Sequence, residues 1–157
     1  MAIPKVDISE ISPDRFLELY QKKNRPLILT GLLAEDAHWS LDYLCNAIGD
    51  REFLVRYYGQ QRYQQNKAQW ESIGSGVEAK PMLFAEYAQL LQNGQAKKED
   101  IYLAKASLEN TPLNQIDSLQ KLGTKLNLHP LTGYRMYMGH GGHTASLHYD
   151  IVDGTLC

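Results

Sequence analysis

A histidine and an aspartate two positions apart, His148 and Asp150, are the residues of this chain best placed to do chemistry. Residues two apart in an extended strand point to the same side, so this imidazole and this carboxylate can bind one metal ion. Such a pair supplies two of the three ligands of a 2-His-1-carboxylate iron site, which leaves other coordination positions open. We therefore predict that His148 and Asp150 are metal ligands. The seven residues after Asp150 contain no histidine that could be the third.

Two further histidines, His140 and His143, lie in the glycine-rich segment just before this pair. Together with His148 and Asp150 they could form a tetrahedral zinc site, because zinc accepts imidazole and carboxylate ligands. The alternative is a tight glycine turn that carries two solvent-exposed histidines. We favour the turn, and the sequence leaves both interpretations open.

Length and composition predict one globular domain without a membrane span. The chain has 157 residues, a hydrophobic content of 43% and a net charge of -2, which does not indicate a nucleic-acid partner. It has no apolar run of membrane-spanning length, and its start lacks the apolar segment of a signal peptide. Cys45 falls in an apolar helical pattern and is predicted to be a buried free thiol, as is typical of a reducing compartment. We therefore predict a cytoplasmic protein.

Helices are predicted mainly in the first half of the chain and strands in the last third. This order lacks the regular alternation of a doubly wound parallel sheet, so we predict an α+β fold with an antiparallel sheet or partial barrel. Ser12 and Ser40 are predicted helix N-caps, and Pro81 a helix start. The predicted strands are residues 25–31, 52–58, 101–108, 134–138 and 145–150, with Tyr63 beginning a hairpin partner for 52–58; residues 64–78 and the charged run 97–100 are predicted loops, and 111–126 a short helix and a turn.

Five segments, in this order, resemble those of the JmjC or cupin-like Fe(II)/2-oxoglutarate-dependent oxygenases, and in particular the cupin-like group that includes the asparaginyl hydroxylase of hypoxia signalling. They are residues 25–31, 39–49, 84–91, 101–105 and the glycine-rich turn with Leu147-His148-Tyr149-Asp150. The resemblance implies a single cupin-like domain over residues 1–157. Helices and short strands in residues 1–130 would lead into a double-stranded β-helix, or jelly-roll, of which residues 131–157 form the first strands.

The resemblance also implies an activity, namely hydroxylation of a protein or peptide side chain with Fe(II) and the cosubstrate 2-oxoglutarate. His148 and Asp150 would be the iron ligands. The family often has Ser or Thr where this chain has Ala145, and Asn where it has Gly154, so the sequence departs from the family at two cosubstrate positions. The residues that the resemblance assigns to the cosubstrate pocket are Tyr102, Tyr137, Thr144 and Ser146.

In the family, the third iron ligand and the base that binds the far carboxylate of 2-oxoglutarate lie on later strands. We therefore expect the double-stranded β-helix to be incomplete in this chain and the 157 residues to be inactive by themselves. Unpaired strand edges also predict self-association, for instance as a homodimer. Two other functions stay open: a non-catalytic cupin-like remnant or interaction module, and a zinc-binding domain that uses His140 and His143.

Overall fold

The structure, a computed structural model, mixes helices and strands, as the α+β prediction requires. It forms two compact units, one of residues 1–48 and 107–134 and the other of residues 49–106 and 135–157. The incompleteness of the jelly-roll stays a prediction. The residues that the structure describes are 2–32, 39–70, 77–115, 117–128 and 133–145, without the side chains of 69, 118 and 119.

The first unit packs helices beside a short parallel strand pair, β1 (Lys5–Asp7) and β2 (Ile28–Thr30). Its helices are α1 (Pro13–Leu19), α2 (Leu41–Ile48) and α5 (Asp117–Leu126). Both predicted caps are confirmed, because the Ser12 and Ser40 hydroxyls accept hydrogen bonds from backbone N–H groups three residues on. The core of this unit is built on Ile11, Leu122 and Leu126.

The second unit contains a sheet of four strands, β3 (Glu52–Tyr57), β4 (Glu78–Leu83), β5 (Ile101–Ser107) and β6 (Arg135–Gly139). Their order in the sheet is β4-β3-β5-β6. Strand β3 pairs antiparallel with both β4 and β5, so that Val55 lies opposite Lys80 on one side and Leu103 on the other. Two helices, α3 (Phe84–Gln92) and α4 (Gln95–Glu99), lie between β4 and β5 along the chain.

Two sequence predictions for the segment between β3 and α3 are wrong. Tyr63 does not begin the hairpin partner of β3; it lies in a 3-10 turn (Gln60–Gln64) that follows Gly59, whose positive φ of 73° directs the chain out of the strand. Pro81 does not open a helix; it lies in β4, opposite Leu54. Among the strands that the structure describes, β4 lies at the edge of the sheet, where the missing N–H of proline is tolerated. The helix begins three residues later.

Two expectations drawn from composition can be compared with the structure. Cys45 is free, as predicted, but it is half-buried rather than buried. Over the described parts of the chain, no helix is both long and apolar enough to cross a membrane.

Tyr87 joins α3 to two strands of the sheet. The buried face of α3 consists of Phe84, Tyr87 and Ala88. The Tyr87 hydroxyl donates to the Met138 carbonyl at 2.6 Å and accepts from the Leu103 N–H at 3.3 Å. Burial raises the pKa of Tyr87 to about 12, so the hydroxyl remains a donor at neutral pH.

Replacing Tyr87 with phenylalanine is expected to lower the free energy of unfolding by about 1–3 kcal/mol, because two backbone groups lose their contact with the buried hydroxyl. Urea unfolding of the two proteins measures the difference. Tyr43→Phe is the matched control, since Tyr43 is 46% exposed, and its change should stay within about 0.5 kcal/mol. Equal losses in the two variants would contradict the bridging role of Tyr87.

Candidate functional site

A buried carboxylate, Asp100, lies at the centre of the candidate site. Helix α4 ends at Glu99, and Asp100 takes a left-handed conformation with a φ of 51° before β5 begins at Ile101. Aspartate is one of the few residues with a side chain that adopts this conformation readily. The residue is 0% exposed to solvent, and a buried charge is tolerated only when it is paired.

Four side chains contact the two oxygens of Asp100. His140 Nε2 and His143 Nδ1 each lie 2.9 Å from Oδ1, and the Tyr63 hydroxyl donates to the same oxygen at 3.2 Å. Arg62 Nε forms an ion pair with Oδ2 at 2.5 Å. We call these five residues the Asp100 cluster: Arg62, Tyr63, Asp100, His140 and His143.

The electrostatics of the cluster keep Asp100 ionised. Burial by itself raises the pKa of the Asp100 carboxyl, but hydrogen bonds from His140 and His143, with the charge of Arg62, outweigh burial and hold that pKa below its usual value. The pKa of His143 is lowered, first by burial and then by the charges of Arg62 and His140, against the opposing effect of Asp100. The cluster at neutral pH therefore contains a carboxylate, a guanidinium and a neutral His143 ring.

The glycine turn after β6 presents both histidines to Asp100. Gly142 has a φ of 93°, which favours glycine, and a Cβ at Gly139 would lie 2.9 Å from the Tyr102 ring. The His143 ring stacks on Tyr102, with centroids 4.0 Å apart and an interplanar angle of 20°. Our interpretation of this segment as a turn is supported, but the expectation of solvent-exposed histidines is wrong: each side chain is only 9% exposed, because both contact the buried Asp100.

Arg62 is held in place by aromatic rings as well as by Asp100. Its guanidinium carbon lies 4.2 Å from the ring centroid of Tyr58, 4.7 Å from that of Trp70 and 4.9 Å from that of Tyr63. These are cation–π distances, and they stabilise a charge that is only 12% exposed. The Trp70 indole also donates to the Arg62 carbonyl at 2.7 Å, which holds the 3-10 turn against the site.

Sequence analysis missed Asp100 and Arg62. The charged run 97–100 was predicted to be a solvated loop, but Lys97 to Glu99 belong to α4 and only Asp100 turns inward. The three charged residues before Asp100 favoured the interpretation of the whole run as solvent-exposed. The position of Asp100 directly before an apolar strand was the one indication that it is buried. Arg62 carried no comparable indication in the sequence.

The predicted site residues divide into those the structure describes and those outside it. His148, Asp150 and Ser146 lie outside the described residues, so their roles stay predictions. The other three are described: Tyr102 is half-buried against His143, Tyr137 is 47% exposed on β6, and the Thr144 hydroxyl donates to the Gly142 carbonyl at 3.5 Å. The site therefore brings Tyr102 to the turn that leads to His148.

Three residues of the cluster have a donor set that could hold a metal ion. One ligand atom from each of Asp100, His140 and His143 lies within 4.8 Å of the others. Two imidazoles and a carboxylate suit borderline divalent ions such as zinc or iron.

The family of the chain follows from comparison with known proteins. The family model for the cupin-like domain matches residues 13–157, so this chain belongs to the cupin-like domain family. A comparison with curated proteins finds no match. The match confirms the resemblance at the level of the cupin-like family and includes both the described site and the His148–Asp150 motif.

Proposed function

We propose that this protein is an Fe(II)/2-oxoglutarate-dependent oxygenase in which His148 and Asp150 bind the iron. The observation that carries the proposal is the family match, which runs over residues 13–157 and so includes the His-x-Asp motif. One imidazole and one carboxylate at that spacing fit Fe(II). With 2-oxoglutarate and dioxygen, the bound iron would supply the oxidation of an otherwise unreactive C–H bond.

The described part of the site supports this proposal by holding the chain just before the motif. β6 is tied to Tyr87 through the Met138 carbonyl, and the turn is tied to Asp100 through His140 and His143. Ala145, the last described residue of the turn, is three residues before His148. Ligands on a well-held backbone keep their geometry better than ligands on an unsupported loop.

Tyr102 is the described residue that we assign to the cosubstrate. Burial raises the pKa of Tyr102, with further contributions from Tyr58 and Tyr137, so its hydroxyl stays protonated and can donate to a carboxylate. Thr144 already donates within the turn, and Ala145 has no hydroxyl. The family's usual hydroxyl donor is thus replaced at Ala145, and Tyr102 becomes the main described donor.

The third iron ligand and the base for the far carboxylate follow the resemblance, which places them on later strands. The activity is therefore proposed for any full-length gene product that joins such residues to this chain, with a protein or peptide side chain as substrate. Without such strands we expect no turnover.

Anaerobic spectroscopy tests the proposal. An α-keto acid chelated to Fe(II) gives a visible metal-to-ligand charge-transfer band, and we expect this band when 2-oxoglutarate is added to the full-length gene product with Fe(II). Succinate, which lacks the keto group, is the matched control and should give none. Absence of the band with 2-oxoglutarate would favour the non-catalytic cupin-like module instead.

Tyr102→Phe is expected to weaken 2-oxoglutarate binding by about 10-fold or more, because a hydrogen bond to a charged group contributes about 1.5–3 kcal/mol. Titration of the charge-transfer band with 2-oxoglutarate measures the dissociation constant. Tyr43→Phe, in the other unit of the chain, should leave it unchanged. An unchanged constant in Tyr102→Phe would remove this hydroxyl from the cosubstrate site.

A further inference from the structure

Three atoms that can accept hydrogen bonds face one another in the Asp100 cluster: Asp100 Oδ1, His140 Nε2 and His143 Nδ1. In a neutral His140 ring, the two contacts of the ring nitrogens conflict. His140 Nδ1 lies 3.0 Å from the Gly141 carbonyl oxygen, which can only accept. In a neutral ring the proton therefore belongs on Nδ1, and Nε2 keeps its lone pair. That lone pair faces Asp100 Oδ1, a second acceptor, at 2.9 Å.

His143 repeats the conflict on the same oxygen. Its Nδ1 lies 3.3 Å from Arg62 Nη2, and a guanidinium can only donate, so this contact also requires a lone pair on Nδ1. The same nitrogen is 2.9 Å from Asp100 Oδ1. The hydrogen bonds that Asp100 accepts in the metal-free cluster need a proton on each nitrogen that faces it, so His140 must carry protons on both ring nitrogens and His143 must point an N–H at Arg62.

A bound cation satisfies the three acceptor atoms that face one another, Asp100 Oδ1, His140 Nε2 and His143 Nδ1. We propose that Asp100, His140 and His143 bind one divalent transition-metal ion of the zinc class, with a set of protein ligands that includes neither His148 nor Asp150. The three lone pairs become ligands, His140 keeps its contact with the Gly141 carbonyl, and Arg62 Nη2 keeps its hydrogen bond to the Tyr63 hydroxyl at 3.0 Å. This site differs from the zinc site considered from the sequence, because Asp100 replaces His148 and Asp150.

The distances suit a four-coordinate ion after a small adjustment. Zinc bonds of 2.0–2.1 Å at tetrahedral angles place neighbouring ligand atoms about 3.3 Å apart. The two oxygen–nitrogen separations are 2.9 Å, so each must widen by about 0.4 Å. The nitrogens lie within 4.8 Å of each other. Three protein ligands leave a fourth position for water or a small anion.

The surroundings of the three ligands resemble the outer shell of a metal site. Metal-binding histidines commonly donate their other ring N–H to a carbonyl, as His140 does to Gly141. Arg62 holds Asp100 Oδ2, which leaves Oδ1 to face the histidines. Tyr102 fixes the plane of the His143 ring by stacking. The positive charge of Arg62 opposes a second cation, so we expect micromolar rather than tighter affinity.

Zinc titration of the 157-residue chain tests the proposal, with a chromophoric chelator as competitor. The His148→Ala/Asp150→Ala double variant is the background, because it removes the predicted iron pair. We expect this background to bind one zinc ion, and we expect adding His140→Gln or His143→Gln to lower the affinity at least about 10-fold. Asp100→Asn should do the same, and the two histidine variants keep the test valid if Asp100→Asn does not fold.

Cobalt substitution provides a second readout. Co²⁺ bound to the background variant should show the intense visible absorption of a tetrahedral site, and His143→Gln should remove it. The proposal is overturned if the background variant binds no zinc at micromolar concentration, or if zinc binding is unaffected by the His140 and His143 variants. Neither result depends on oxygenase activity, so failure here is distinguishable from failure of the proposed function.

Discussion

His148→Ala is expected to lower the Fe(II) affinity of the full-length gene product by more than about 100-fold, and Asp150→Ala by a similar factor. Loss of a residue that only supports a ligand already costs about 10–100-fold in metal affinity, and these substitutions remove the ligands themselves. Anaerobic Fe(II) titration in the presence of 2-oxoglutarate, followed by the charge-transfer band, measures the effect at the cosubstrate site alone.

His129→Ala is the matched control for this titration, because it removes a histidine to which no metal-binding role is assigned. Its affinity for iron should equal that of the unchanged protein. A charge-transfer titration that is the same in His148→Ala and in His129→Ala would exclude His148 from the iron site, and the same comparison applies to Asp150→Ala.

Asp100→Ala is expected to lower the free energy of unfolding by about 3–5 kcal/mol, the range found when one partner of a buried ion pair is removed. The substitution leaves the Arg62 charge among Tyr58, Tyr63 and Trp70 without its counterion. Urea unfolding with the metal chelated measures the effect of the cluster without any contribution from bound ions.

Asp50→Ala is the control for charge alone, since Asp50 is exposed and lies in the same unit. Its unfolding free energy should change by no more than about 0.5 kcal/mol. Comparable losses in Asp50→Ala and Asp100→Ala would mean that the Asp100 cluster contributes nothing specific to stability.

Local patterns predicted several elements of the fold. The strands β3, β5 and β6 and the buried stripe of α3 follow from apolar periodicity, and the starts of α1 and α2 follow from serine caps. The partner of β3 could not be found in this way. Strand pairing depends on residues distant in sequence, and β4 contains a proline that is acceptable only because the strand lies at an edge.

The candidate site also depends on contacts between residues that are distant in sequence. The His148–Asp150 pair is visible because both residues fall within one short segment. Asp100 is 40 positions from His140 and 38 positions from Arg62 (140 − 100 and 100 − 62). Only the packing of the β5, β6 and 3-10 segments brings these three together. Asp100 is a candidate functional residue because it is buried. No local sequence pattern indicates that one residue of a charged run is buried.

Succinate formation from 2-oxoglutarate by the full-length gene product tests the central claim most directly. With Fe(II), ascorbate and dioxygen, we expect succinate to form, to stop when iron is chelated, and to be lost in both His148→Ala and Asp150→Ala but not in His129→Ala. Succinate formation that persists at the same rate in His148→Ala, or that never occurs with the unchanged protein and iron, would contradict the assignment of this chain as an iron- and 2-oxoglutarate-dependent oxygenase.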